Sequence, residues 1–241
     1  MNSLQNPFGN TTEIQTNALV RTFMANVFSR MFMALAITAL IAWLASGSDA
    51  FVRMMFNSQS GGLSIAGWVI MLSPLGLVLW MSAGFNKMSA ATMAVVFAVY
   101  SVLMGLSLSF IFLAYTGSSI AKTFVIASAM FGLMAVLGYT TKTDLTKFGS
   151  LMFMGLIGLI IASVVNYFMK SSTMEYIISF VGVLVFTGLT AYDVQKIKRL
   201  GVNAIEQGDS MTKIAIMGAL TLYLDFINLF LFLLRFFGNR R

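Results

Sequence analysis

The chain has 241 residues, 59% of them hydrophobic and 10% charged, with 22 Phe, 19 Met and a net charge of +7. That is roughly half the charge of an average soluble domain, so the chain reads as a membrane protein: seven spans of about 20 residues leave short connections and no room for a sizeable soluble domain. Neither His nor Cys occurs, which excludes His- or thiolate-based zinc sites, Ser-His-Asp and Cys-His nucleophiles, His-ligated haem and disulfides.

Residues 1–27 are rich in Asn, Gln and Thr with charges at Glu13 and Arg21. They lack the pattern of a cleaved signal and read as a polar cytoplasmic tail ahead of a transmembrane domain over 28–241. Apolar runs predict spans at 28–45, 65–85, 88–115, 120–139, 148–169, 176–192 and 214–237. The expected fold is an all-α membrane protein, a seven-helix bundle. Pro74 predicts a kink in the second span, and the third is long enough to require tilt. The connection from Val194 to Lys213 opens with Gln195-Lys196-Ile197-Lys198-Arg199, which extends the sixth helix until Gly201 ends it. Asp209 or Ser210 can then cap the seventh.

Orientation follows from the basic residues. With the N-terminus in the cytoplasm, that side receives Arg21, Arg30, Lys87, Lys142, Lys147, Lys196, Lys198, Arg199 and Lys213; the other receives Arg53, Lys122, Lys170, Arg235, Arg240 and Arg241. The balance favours N-in. The C-terminal cluster leaves a re-entrant last helix, with six spans, as the alternative.

Small residues at successive i+4 positions, Ser101, Gly105 and Ser109, predict close helix packing, and Gly155, Gly158, Gly182 and Gly188 are read the same way. Of the eight acids, Glu13, Asp49, Asp144, Glu175, Glu206 and Asp209 fall in tails, loops or span boundaries. Asp225 lies at the centre of the last span, where a carboxylate costs about 2.5 to 3.5 kcal/mol on insertion scales. Gly218, Thr221, Asp225 and Asn228 form one polar stripe. Asp193 closes the sixth span and has two readings. It is either a boundary charge paired with Lys196 at i+3, or the partner of Asp225 in a carboxyl pair that titrates as a unit and forms a pH switch without histidine.

The segment Ala219-Leu220-Thr221-Leu222-Tyr223-Leu224-Asp225-Phe226-Ile227-Asn228-Leu229-Phe230, followed by Leu233-Leu234-Arg235-Phe236-Phe237-Gly238, resembles the last helix of the Bax inhibitor-1 family, the transmembrane Bax inhibitor motif proteins. Thr190-Ala191-Tyr192-Asp193-Val194-Gln195-Lys196-Ile197-Lys198 resembles the end of that family's sixth helix, and Tyr100 to Ser109 resembles its third. The resemblance implies a bacterial member with seven helices, the last one central, and a proton-sensitive calcium leak governed by two aspartates that match Asp193 and Asp225. In one respect the chain departs: bacterial relatives with a well-defined latch carry an Arg at the cytoplasmic end of the second helix, whereas Trp80-Met81-Ser82-Ala83-Gly84-Phe85 has none and Lys87 is the nearest cation.

The leading expectation is therefore a pH-modulated calcium-permeable leak. Asp193 and Asp225 are its pH sensors and candidate calcium ligands, supported by Asn228, Thr221 and Lys87. Its partners are the lipid bilayer, calcium ions and protons; no nucleic acid and no cofactor is expected beyond calcium as a transported or bound ion. The alternative is a non-conducting regulator that binds another membrane complex, such as a membrane protease, through the N-terminal tail and the 194–213 connection. An enzyme is not expected: no Ser-His pair exists, Asp225 is followed by Phe226 where a paired-aspartate protease would place glycine, and no Lys is buried in the last span for retinal. No internal repeat suggests an inverted-repeat transporter. The expected location is a bacterial plasma (inner) membrane.

Overall fold

The computed structural model describes residues 7–56, 62–207 and 211–240. Among them nine helices follow in order: α1 (Pro7–Ser46), α2 (Asp49–Met55), α3 (Ile65–Gly84), α4 (Ala90–Leu108), α5 (Phe110–Ala114), α6 (Gly117–Thr140), α7 (Thr146–Met169), α8 (Ser172–Gln207) and α9 (Met211–Phe237). Extended pairing among the described residues is limited to two isolated bridges, Phe56 with Leu63 and Tyr115 with Arg240. Seven helical stretches are long and apolar enough to cross a membrane. In hydrocarbon the backbone must satisfy its own hydrogen bonds, which is why such runs become helices.

α9 is the centre of the bundle. Its span is 67% buried, against 11% for α7, and it packs on α8, α1, α6 and α4. At about 1.5 Å per residue its 27 residues reach about 40 Å, enough for a full crossing of a core about 30 Å thick. Its end is tied to the α5–α6 turn, where Thr116 N donates to the Asn239 carbonyl at 3.2 Å and Asn239 N to Ser119 Oγ at 2.9 Å. Arg240 pairs with Glu175 at 2.6 Å. These ties hold the C-terminus at the end of the bundle opposite the start of α1, as seven crossings require and a re-entrant last helix would not.

The structure departs from the sequence reading at several boundaries. α1 begins at Pro7, so most of the expected tail is helix; Val20, Phe23, Met24, Val27 and Met31 are buried at helical spacing, with the polar residues Arg21, Thr22 and Asn26 on the exposed side. α8 runs through Gly201 to Gln207. Gly201 is a close approach rather than a stop, since a Cβ there would lie 2.5 Å from the Phe23 ring. The 194–213 connection is thus mostly helix, and the expected caps Asp209 and Ser210 lie outside the described residues. The third span breaks at Ser109, whose hydroxyl donates to Leu106 O at 2.7 Å, while α3 continues through Pro74.

Close packing at the small residues is observed. A Cβ at Gly105 would meet Thr38 O at 2.7 Å and Ile41 at 2.8 Å, so α4 lies directly on α1. Gly155, Gly182 and Gly188 likewise face side chains of neighbouring helices, whereas Gly158 has open space before it.

Candidate functional site

α8 and α9 bring Asp193 and Asp225 together. Their carboxyl groups lie within hydrogen-bonding reach of one another. Asp225 is 5% exposed, and its Oδ2 has no hydrogen-bond partner. The helix supplies none because the backbone donors around position 225 are consumed in the α9 ladder. Asp193 is half-buried; Lys196, one turn further, acts on its charge and leans over the Tyr192 ring at 5.8 Å.

The pair faces a cleft of about 890 Å³ whose walls come from α7, α8 and α9. The cleft exists because α7 packs principally on α8 and leaves α9 uncovered on that side. Gly149 opens α7 for the Tyr192 ring, with which any Cβ would overlap. The stripe on α9 reaches the cleft at Thr221, Asp225 and Asn228. Thr221 Oγ1 donates to Met217 O at 3.1 Å and Asn228 Nδ2 to Leu224 O at 2.8 Å, so both spend a donor on their own helix and keep acceptor oxygens for the cleft. Gly218 lines a second cavity of about 320 Å³, which shares Asp193, Lys196 and Thr221 with the first and extends to Phe85 and Ile214 at the end of the bundle.

Lys87 is not part of this arrangement. It sits in the turn after α3, where its N–H donates to Gly84 O at 2.9 Å, and lines neither cavity. Lys196, which lines both cavities, is the cation at the pair. Among the described residues no group of three or more His, Cys, Asp or Glu could hold a metal ion. Two carboxylates are a thin set for calcium, which takes 6–8 oxygens, so a resident calcium site does not fit and the ion enters below as cargo.

Two further polar arrangements frame the site and were missed in the sequence. Inside the bundle, Thr38 Oγ1 donates to Ser101 O at 2.9 Å and is 2.8 Å from Tyr223 OH, joining α1, α4 and α9. Tyr223 also meets Tyr100 edge-on, with centroids 5.4 Å apart. At the bundle end beyond Asp193, Gln195 accepts from Leu145 N at 2.9 Å and donates to Thr143 O at 2.8 Å, while Lys198 Nζ caps α6 at Tyr139 O, 2.9 Å away. Asp144 accepts from Thr146 Oγ1 at 2.6 Å and pairs with Arg199 at 2.9 Å. Hydrogen bonds from Thr146 and then Arg199 hold the Asp144 carboxyl well below the usual carboxylate range. The alternation of polar residues at i, i+3 and i+4 along 192–199 was the available signal for this staple.

Seven apolar helices around a buried carboxyl pair define a multi-pass integral membrane protein of the kind the resemblance implied. The family model described as "Inhibitor of apoptosis-promoting Bax1" matches residues 20–241, and the chain belongs to this Bax inhibitor-1 family. It is 47% identical over 229 residues to the inner membrane protein YbhL of Escherichia coli, covering 95% of this chain and 96% of that one. It is also similar to Rickettsia prowazekii RP147, at 46% over 226 residues (92% and 91% covered), and to a Borreliella burgdorferi protein, at 44% over 231 residues (96% and 97%).

Proposed function

We propose that this protein is a non-enzymatic, pH-modulated calcium-permeable leak of a bacterial inner membrane, with Asp193 and Asp225 as its gate. The observation that carries the reading is the buried Asp225 carboxyl, within hydrogen-bonding reach of Asp193 and opening on a cleft. Two carboxyls facing one another from α8 and α9 repel when ionised, and Lys196 beside Asp193 offsets that repulsion. Together the three groups tie α8 to α9. Full protonation removes the charge that holds Lys196 and loosens the tie, shifting the population toward an open arrangement. Two cavities meet at Asp193, mostly apolar but sharing Lys196 and Thr221, and give an ion a way to the gate from one end. Beyond Asp225, the buried Phe226, Phe230, Leu233 and Leu234 seal the other half.

The same reading puts the N-terminus on the cytoplasmic side, and the gathering of Arg21, Lys87, Lys142, Lys147, Lys198 and Arg199 at its end of the bundle supports it. The test is calcium entry into dye-loaded proteoliposomes as external pH steps from about 8 to about 6. Flux rises with acid in the wild type, and Asp225→Asn or Asp193→Asn abolishes the pH dependence. Folded protein without calcium flux at any pH overturns the reading.

A further inference from the structure

The cleft combines features that a passing inorganic ion does not need. Its volume, about 890 Å³, lies in the range of sites for drug-sized ligands, about 300 to 1,000 Å³. One wall, on α7, is apolar apart from Ser150 and carries no titratable group; Phe153, Met154 and Ile160 of that wall are each more than half exposed. The opposite wall includes Asp225, a buried side chain whose Oδ2 has no hydrogen-bond partner. An orphaned charged acceptor in such surroundings is costly unless something donates to it.

We propose that the cleft binds a long-chain alkylammonium amphiphile from the bilayer, with its ammonium on Asp225 and its tail along α7. An ammonium offers three donors. Asp225, Asn228 and Thr221 present acceptor oxygens from one face of α9; the Thr221 hydroxyl and one Asn228 N–H donate to backbone carbonyls of their own helix. The tail needs only the apolar wall, and the ligand arrives through lipid because α7 leaves α9 uncovered on that side. Asp193, Lys196 and Tyr192 are the other titratable groups at the cleft; Lys196 already serves Asp193, which leaves Asp225 for the guest. The proposal shares the carboxyl pair with the leak reading but not its ion conduction, so its test stands whatever the flux assay returns.

The test is photolabelling of the protein in phosphatidylcholine nanodiscs with a diazirine-bearing dodecylamine and the matched dodecanol, read by mass spectrometry. The amine labels the segment containing residues 153–160 about tenfold more than the alcohol, a ratio worth about 1.4 kcal/mol. Asp225→Asn lowers amine labelling to the alcohol level, and Ile160→Trp, which fills the cleft from its exposed wall, lowers both. Equal labelling by alcohol and amine overturns the proposal, as does full amine labelling in Asp225→Asn. If that variant does not fold, unchanged labelling in Ile160→Trp overturns it instead. Protection by butylamine equal to that by unlabelled dodecylamine overturns the bilayer origin of the ligand.

Discussion

Gly138 of α6 lies against the backbone of Ala191 of α8 so closely that any Cβ would overlap the Ala191 carbonyl. This approach fixes α8 two residues before Asp193. Gly138→Ala must push the helices apart, because backbone rather than a flexible side chain is in the way, and should cost about 1 to 3 kcal/mol. Gly132, on the same helix, has nothing within 4 Å of its Cβ position, and Gly132→Ala should gain up to about 1 kcal/mol of helix propensity. Thermal unfolding of the two variants in one detergent should shift in opposite directions.

The hydroxyl chain from Tyr223 through Thr38 to Ser101 O should show coupling in a double-mutant cycle. Tyr223→Phe removes one hydrogen bond and should cost about 0.5 to 1.5 kcal/mol. Thr38→Val also strands a buried phenol and should cost about 1 to 3 kcal/mol. The double variant should be more stable than the sum of the two, with a coupling of about 0.6 kcal/mol or more, as for hydrogen bonds between membrane helices. Additivity within error would show that the phenol finds another partner.

Asp144 bears on where the pH response can reside. Its folded carboxyl sits below the usual range through Thr146 and Arg199, so its stabilisation is present above the unfolded pKa of about 3.9 and is lost only as pH falls through the lower folded value. Between about pH 8 and about pH 5 it does not titrate. Amide exchange at residues 141–146, corrected for intrinsic rates, should therefore be unchanged over that interval and should rise in Asp144→Asn. A rise in the wild type near pH 6 would move the acid switch from the buried pair to this staple.

The centre of the site was legible because a carboxylate amid apolar residues must have a reason: Asp225, Thr221 and Asn228 fall on one face by helical arithmetic, and Asp193 joined them through the family pattern. The cleft was not legible, since it arises from α7 failing to cover α9, and no local pattern in either helix records that. α8 looked shorter than it is because Gly201 reads as a stop, while its actual partner, Phe23, is distant in sequence. Lys87 was favoured by nearness to a span end; Lys196, known as the i+3 neighbour of Asp193, turned out to hold that place in space.

This contrast gives a test of the cation. Lys196 lines both cavities and Lys87 neither. Lys87→Gln should leave the flux and its pH profile at wild-type levels. Lys196→Gln removes the charge drawn to the pair, so flux near neutral pH should rise several-fold and the acid response should shrink. The reverse pattern would return the latch to the end of α3.

An unpartnered buried carboxyl costs stability that a packing side chain would not. Asp225→Leu removes the orphaned Oδ2 and the close approach of two acids while keeping the branched shape at Cγ, and the cleft beside it has room for the larger side chain. Replacing buried charge by well-packed apolar groups is often neutral or stabilising by about 1 to 4 kcal/mol. The variant should therefore melt no lower than the wild type, and above it if Asp193 relaxes toward Lys196, while losing the pH dependence of flux. A large fall in melting temperature would instead make the pair a structural tie whose removal opens the bundle. A stable but unresponsive variant would show that the chain retains this carboxyl at a cost for what it does there.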